Sequence, residues 1–302
     1  SKLKHRDDIL KFCQKYSLLE PSCGSGIFIF TFLKCLAERG LTKRDLKHVN
    51  VIGIDINENA IQYIKNKIKI SDISIDLQIY KTDFRDFDFS KVKKIPLIIG
   101  NPPFIQGDEK SNFRNIYADF LDISISNASK KSIICLITPL SVCFSRNYSL
   151  LRKKIKSLQS EITFLNFDNI PDSLFPSGKP GSLNTNKANS QRCSIILIKP
   201  SSHKIILSSK LISWKKNERK KILGAAPQVY DITDVSELDQ FIRPFNNESI
   251  SIVKRKSGIP LINLIKPKGS HKLFLASVAR NFISFRKNKS NFTIDFFYEN
   301  KR

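Results

Sequence analysis

The chain has 302 residues, 41% of them hydrophobic, and it carries 51 Lys and Arg against 27 Asp and Glu, which gives a formal net charge of +24. This length and hydrophobic content allow a large core, which excludes global disorder and fits one large α/β domain or one domain plus a smaller module. The positive surplus exceeds what solubility requires and indicates a polyanionic partner.

The basic surplus is denser toward the C-terminus. Residues 1–200 contain 31 basic and 19 acidic residues, whereas residues 201–302 contain 20 and 8. A+T-rich coding also raises the Lys content, so composition alone explains part of the surplus. It does not explain why the charge is concentrated in the last third of the chain.

Cysteine and histidine show no metal-binding pattern. The six cysteines form no Cys-x-x-Cys pair, and the four histidines do not combine with them at ligand spacing, so we expect free thiols and no metal. No apolar run reaches the roughly 18 residues that span a bilayer. No cleavable leader opens the chain, and we therefore expect a cytoplasmic protein with no membrane partner.

Short β-branched runs alternate with helical stretches through the first 200 residues, which predicts a mostly parallel sheet with helices on both faces. The predicted strands lie near residues 17–20, 49–55, 73–80, 95–101, 131–138, 162–167 and 192–199, and the predicted helices lie at 27–39, 58–69 and 115–129. Seven strands in this order predict a doubly wound α/β domain. Basic runs dominate beyond residue 205, so we divide the chain into a domain of residues 1–205 and a smaller basic region of residues 206–302.

A glycine turn follows the first predicted strand, in the string Leu-Leu-Glu-Pro-Ser-Cys-Gly-Ser-Gly that ends at Gly26. Gly24 and Gly26 allow the backbone to pass close to a ligand, and the turn presents amides at a helix N-terminus. Many strand-to-helix turns contain glycine, so this motif gains weight only from its neighbours.

Acidic residues end three successive strands. Glu20 ends the first, Asp55 ends the second, and Asp83 lies just past the third. A carboxylate at the second position accepts hydrogen bonds from ribose hydroxyls in such folds. A single Asp at a strand end is more often a helix cap, but three successive strand ends converge on one crevice.

The fourth strand leads into Asn101-Pro102-Pro103-Phe104. The two prolines fix an extended exit, so the Asn101 side-chain oxygen and the Pro102 carbonyl can face the same point. Two fixed acceptors would bind the hydrogens of a conjugated exocyclic amine and stabilise the positive charge that develops on it. Phe104 could stack on the base that carries the amine.

The strings EPSCGSG, GID, TDF and NPPF, in this order and spacing, resemble the N6-adenine DNA methyltransferases of restriction-modification systems, with a gamma-class arrangement. The resemblance covers about residues 17–200. It implies a seven-stranded Rossmann-like methyltransferase sheet, S-adenosyl-L-methionine as cofactor and double-stranded DNA as substrate. It also implies a restriction or specificity subunit as a further partner.

The resemblance assigns roles residue by residue. For the cofactor, Glu20, Ser22 and Gly24 would surround the methionine part next to Gly26, Asp55 would bind the ribose, and Asp83 and Phe84 would bind the adenine. For the substrate, Asn101, Pro102, Pro103 and Phe104 would form the catalytic exit of the fourth predicted strand. Phe175 would be the second stacking partner of the flipped base. Residues 1–16 lack the aromatic-Thr-Pro segment of this family, so we expect an incomplete or divergent N-terminus. Residues 258–269 resemble the opening of a target-recognition domain.

Two other functions stay open at the level of the sequence. The same tetrapeptide could act on a guanine amine in RNA or on a release-factor glutamine, since the chemistry is unchanged. Cytosine N4 is disfavoured because that family usually has Ser at the position of Asn101. A non-catalytic DNA-recognition subunit with a relic cofactor fold is the third reading, and the intact tetrapeptide weighs against it.

Overall fold

The computed structural model describes residues 6–175, 191–235, 239–244 and 246–254. The chain divides into two compact units, residues 1–250 and residues 251–302. Residues 176–190, and the segment that resembles a target-recognition domain, lie outside the described residues. No helix in the described ranges is long and apolar enough to cross a membrane.

The described residues form one sheet of nine strands in the order β3-β2-β1-β4-β5-β7-β6-β8-β9. The strands are β1 (Tyr16–Glu20), β2 (Asn50–Asp55), β3 (Asp76–Lys81), β4 (Ile95–Gly100), β5 (Ile133–Pro139), β6 (Ser160–Phe167), β7 (Cys193–Pro200), β8 (Ile205–Ile212) and β9 (Val229–Asp231). Strands β1 to β5 are parallel, and β7 is antiparallel to both β5 and β6. This arrangement confirms the α/β class and the mostly parallel sheet.

Seven strands were predicted, and that number is wrong. All seven exist close to their predicted positions, but β8 and β9 extend the sheet beyond β6. Strand β8 is hard to recognise because its centre is polar: Ser208 and Ser209 are buried and bind the Asn166 side chain and backbone across the strand pair. Strand β9 has only three residues.

The predicted boundary after residue 205 coincides with the first residue of β8, which pairs in parallel with β6. The sheet therefore continues into the region that was set apart by its charge. The basic runs of residues 206–302 predict that this region binds DNA, and this role remains a prediction.

Seven α-helices occur in the described ranges: α1 (Arg6–Lys15), α2 (Ile27–Glu38), α3 (Glu58–Ile70), α4 (Ile116–Ser126), α5 (Ser149–Ser157), α6 (Arg219–Gly224) and α7 (Asn247–Lys254). Helices α2, α3 and α4 are the three that were predicted. Helix α3 begins where the Asn57 side chain accepts hydrogen bonds from the amides of Asn59 and Ala60, an N-cap that satisfies amides left free in the first turn.

The sheet reverses its direction of growth between β1 and β4. The chain adds β2 and β3 on one side of β1 and then returns to add β4 on the other. In open α/β sheets ligands bind in the crevice outside the carboxyl ends of the strands at this switch point. The strands pack on helix faces through fully buried aliphatic side chains such as Leu18, Val51, Ile29 and Ile64, which fixes the strand ends that form the crevice.

Candidate functional site

The turn between β1 and α2 depends on glycine at two positions. Gly24 has φ +48° and Gly26 has φ +77°, backbone conformations that strain other residues. A Cβ atom on Gly26 would lie 2.9 Å from a Phe30 ring carbon and 3.0 Å from Ile64 Cγ1. A Cβ atom on Gly24 would meet no atom within 4 Å, so the space beside this part of the turn is open to a ligand.

Two carboxylates lie against the turn. Glu20 is 1% exposed, and its Oε2 accepts a hydrogen bond of 3.2 Å from the Ile29 amide. Burial, together with the nearby charge of Asp55, raises the pKa of Glu20 to about 8. Asp55 accepts hydrogen bonds of 2.7 Å from the Gly24 amide and 2.9 Å from the Asn57 amide. The sequence prediction that these strand ends converge is thereby confirmed for β1 and β2.

The exit of β4 touches the same turn. The Ser22 hydroxyl donates a hydrogen bond of 3.1 Å to the Asn101 carbonyl. A Cβ atom on Gly100 would lie 2.9 Å from Pro21 Cδ, so the backbones approach closely because residue 100 is glycine. The turn and the exit of β4 therefore form one continuous structure.

The Asn101 side-chain oxygen is buried, and it has no hydrogen-bond partner in the described part of the chain. Such buried acceptors are rare in folded proteins because burial without a partner costs free energy. A buried acceptor left free at the exit of β4 is the arrangement expected for a group that binds a substrate amine.

The carboxylate of Asp83, just past β3, binds an arginine side chain, a contact that was not predicted. Both oxygens of Asp83 bind Arg85, whose Nη2 lies 2.6 Å from Asp83 Oδ2. The Arg85 guanidinium also binds both oxygens of Asp108, in the loop after Phe104. Phe84 is 1% exposed, and its ring packs on Phe120 with ring centres 4.9 Å apart. The predicted adenine contacts of Asp83 and Phe84 remain predictions.

Phe104 and Phe175 lie together, 71 positions apart in sequence. Their ring centres are 5.9 Å apart with an interplanar angle of 79°, and Tyr117 meets Phe104 at the same distance. A cavity of about 360 Å³ opens beside Phe104. Its lining consists of Phe104, Asn115, Tyr117, Pro139, Leu140, Ser141, Phe144, Gln191 and Arg192.

Sequence reasoning missed the residues that hold the segment carrying Phe175. Arg219 on α6 donates to Asp172 and to the carbonyls of Ser173 and Leu174, and the Trp214 indole donates to Asp172 at 2.8 Å. These hydrogen bonds join residues 42 to 47 positions apart, so no local pattern indicated the contacts. The contact between Arg85 and Asp83 was also missed, but it joins residues only two positions apart, so the sequence could have indicated it.

Residues 12–163, half of the chain, match the family described as RMKL-like, methyltransferase domain. The chain belongs to this family. The methyltransferase domain covers β1 through the first part of β6, and thus includes the glycine turn, Asp55 and the exit of β4. The expectation of a Rossmann-like methyltransferase fold is confirmed.

Two curated relatives and one solved structure show similarity to this methyltransferase domain. The Type II methyltransferase M.VspI of Vibrio sp. (strain 343) is 25% identical over 142 residues, which are 47% of this chain and 32% of that protein. The Bifunctional methyltransferase of Rickettsia typhi (strain ATCC VR-144 / Wilmington) is 32% identical over 110 residues, which are 36% of this chain and 19% of that protein. The matched part of the chain thus spans a third or less of either relative.

The solved structure is the cryo-EM structure of the DrdV–DNA complex. It matches with a TM-score of 0.55 and 14% identity, and the match covers 76% of this chain and 29% of that one. At this identity the match supports a shared fold.

Proposed function

We propose that this methyltransferase domain transfers a methyl group from S-adenosyl-L-methionine to the N6 amine of a flipped adenine in double-stranded DNA, within a restriction-modification system. The observation that carries the proposal is the buried, unpartnered Asn101 oxygen at the exit of β4. It is an acceptor positioned before the substrate arrives, which is the property that electrostatic catalysis requires.

The residues around the glycine turn fit the cofactor. S-adenosyl-L-methionine supplies the methyl group when it is bound, and its methionine part carries cationic groups. Glu20 and Asp55 place two carboxyl groups near each other beside the open space at Gly24. These residues would hold the methionine part and the ribose, as the family resemblance implies.

Asn101 would accept a hydrogen bond from the target amine, and the Pro102 carbonyl would accept a second one. Both acceptors favour a pyramidal nitrogen and stabilise the positive charge that develops on it during transfer. The Ser22 hydroxyl bond to the Asn101 carbonyl fixes this peptide relative to the cofactor turn. This backbone contact would hold the target amine close to the methyl donor.

The cavity beside Phe104 would receive the base. An adenine inside a duplex cannot reach a buried acceptor, so it must leave the stack, and aromatic side chains repay part of that cost. Phe104 and Tyr117 supply aromatic surface, while Asn115, Ser141 and Gln191 supply polar groups for the base edge. Phe175 lies against Phe104 and would complete the stack.

The choice of DNA rests on charge and similarity. A net charge of +24 suits a duplex, whose phosphates dominate affinity for basic proteins. The similarity to a type II methyltransferase and to the fold in a protein–DNA complex favours the same substrate. A restriction or specificity subunit is the expected partner in such a system.

The same pair of acceptors allows a second candidate function. Asn101 and Pro102 could serve a guanine amine in RNA or a glutamine amide equally well. The basic surplus favours a nucleic acid over a protein acceptor.

The test uses labelled cofactor with duplex DNA, structured RNA and protein acceptors, followed by nucleoside and amino-acid analysis. Label in N6-methyladenine from DNA is the expected result. The Asn101→Ala variant should lose on the order of a hundredfold or more in turnover, while calorimetry shows nearly unchanged cofactor binding. Asn217→Ala, which removes an exposed asparagine, is the matched control. Label in RNA or protein alone would overturn the substrate assignment, and near-normal turnover of Asn101→Ala would overturn the catalytic one.

A further inference from the structure

Two guanidinium nitrogens of an arginine beside Phe144, a residue of the cavity wall, have no hydrogen-bond partner among the described residues. Nε and Nη1 of Arg243 are buried, and neither has a hydrogen-bond partner in the described residues. The guanidinium carbon lies 5.2 Å from the centre of the Phe144 ring, and Phe144 lines the cavity. The Phe241 amide donates to the Cys143 carbonyl at 2.9 Å, which anchors the segment that carries Arg243 beside the cavity wall.

The described residues around Arg243 provide no negative charge near neutral pH. Among the described residues, the groups that act on it electrostatically are the Cys143 thiol and the Arg192 guanidinium. Burial raises the pKa of Cys143 to about 11, so the thiol is neutral near pH 7. Burial also lowers the pKa of Arg243, but an arginine keeps its charge in proteins. A buried cation with no anion beside it is unfavourable unless a ligand supplies one.

Arg192 brings a second guanidinium to the same wall. Its backbone carbonyl accepts a hydrogen bond of 2.8 Å from the Leu140 amide, and its side chain lines the cavity. Its Nε donates to Asp168 at 2.8 Å, which orients the guanidinium and neutralises one charge. Two guanidinium groups, Arg192 and Arg243, stand against the single carboxylate of Asp168, so the cluster keeps a surplus positive charge.

We propose that Arg192 and Arg243 bind a backbone phosphate of the target DNA strand, next to the nucleotide whose base enters the cavity. This inference rests on the proposed function, because it takes the cavity as the base site. Guanidinium groups match phosphate oxygens with paired N–H donors. Arg243 is half-buried as a whole residue, so an oxygen anion can approach its exposed part from the solvent side and offset the charge of the guanidinium, whose Nε and Nη1 stay buried.

A phosphate bound at this site would hold the flipped nucleotide in a fixed position. Backbone contacts fix the register of a protein on DNA, whereas base contacts read its identity. A phosphate held beside Phe144 would place the attached sugar at the mouth of the cavity. The Arg192–Arg243 pair would thus act on the target strand and not on the cofactor.

The first test measures thermal unfolding of the full chain in inorganic phosphate and in sodium chloride of equal ionic strength. Phosphate should raise the Tm of the wild type above its value in chloride, because a ligand of the native state stabilises it. Arg243→Gln should abolish this shift, and Arg192→Gln should reduce it. Lys210→Gln removes an exposed charge on β8 and should keep the wild-type shift.

Stability without phosphate separates a binding role from a structural one. If Arg243 awaits an anion, Arg243→Gln in chloride should unfold at the wild-type temperature or above it, since the substitution removes an unpaired buried charge. A large drop in Tm that phosphate does not influence would overturn the proposal. An equal phosphate shift in wild type and Arg243→Gln would do the same.

The second test uses a duplex of mixed sequence. Arg243→Gln should weaken binding and should reduce the slope of log affinity against log salt by about 0.9, the value for one phosphate contact. An unchanged slope counts against the phosphate site even if the wild type methylates adenine. If the phosphate shift is present but no methylated adenine forms, the proposed function fails while the anion site stands.

Discussion

Burial changes the protonation of one residue at the site, Glu20. Its carboxyl group is nearly inaccessible, accepts a hydrogen bond from the Ile29 amide and has Asp55 as a neighbour. Removal from water disfavours the charged form, and a second carboxylate nearby adds to the effect. A cationic ligand at the glycine turn would offset both the burial of the charge and the repulsion from Asp55. The raised pKa of Glu20 therefore fits its proposed role in binding the cofactor.

The pH dependence of stability should report on Glu20. Its pKa is raised from 4.5 to about 8 in the folded protein, so the unfolded chain loses the proton near pH 4.5 while the folded chain keeps it until near pH 8. The free energy of unfolding should therefore fall across this window. Without cofactor, Glu20→Gln should match the wild type near pH 5 and exceed it at pH 8.5 by on the order of 2–4 kcal/mol.

Urea unfolding at the two pH values measures this difference. Gln keeps an oxygen that can accept the Ile29 hydrogen bond, so the comparison isolates the charge. Glu109→Gln changes an exposed carboxylate and should retain the wild-type pH dependence. Parallel pH profiles for Glu20→Gln and wild type would show that Glu20 is charged at neutral pH.

At the scale of elements, the site depends on the close approach of β4 to the turn after β1. The Pro21 ring is rigid and would lie 2.9 Å from a new Cβ atom at position 100. Gly100→Ala should destabilise the fold by about 1–3 kcal/mol through overpacking. It should also lower turnover, because separating the two backbones stretches the bond from Ser22 to the Asn101 carbonyl.

Thermal unfolding and methylation rates measure the two effects of Gly100→Ala. Gly224→Ala is the control, because a Cβ atom at this position on α6 would meet nothing within 4 Å. It should be neutral or slightly stabilising. A Gly100→Ala variant with wild-type stability and turnover would show that the two elements are not coupled.

The segment that carries Phe175 is held by the elements after β7. Arg219→Gln should release the hydrogen bonds to Asp172 and to the carbonyls of Ser173 and Leu174. Phe175 would then lose its fixed position against Phe104. We expect turnover on duplex DNA to fall several-fold while calorimetric cofactor affinity stays unchanged.

Lys220→Gln is the matched control for Arg219→Gln, since it removes an exposed charge from the same helix turn. It should keep wild-type turnover. An equal loss of turnover in both variants would show that the effect comes from the lost positive charge. Unchanged turnover in Arg219→Gln would show that the fixed position of Phe175 is not needed for catalysis.

At the scale of the whole molecule, the charge distribution predicts how the protein meets DNA. Replacing four exposed lysines between β8 and β9 with Gln should reduce duplex affinity and flatten its salt dependence by up to about 0.9 per lost phosphate contact. These lysines are Lys215, Lys216, Lys220 and Lys221. Equilibrium binding at several salt concentrations measures the slope.

The matched variant replaces four exposed lysines of the front part, Lys11, Lys34, Lys65 and Lys69. Its slope should stay closer to the wild-type value. Equal losses in the two variants would overturn the prediction that the region beyond residue 205 supplies DNA affinity. Deleting this region is a poor test, since removal of β8 would expose the edge of β6.

The sequence alone predicts the seven central strands, three helices and the convergence of Glu20 and Asp55 at the strand ends. These features are local, because apolar runs, glycine turns and strand-end polar residues encode them within a few positions. It did not determine β8, whose buried serines became compatible with the sheet only when Asn166 paired with them. Nor did it determine the contacts of Arg219 with the Phe175 segment or the position of Arg243 beside Phe144. Those contacts join residues 45 to 99 positions apart, so only the tertiary structure decided them.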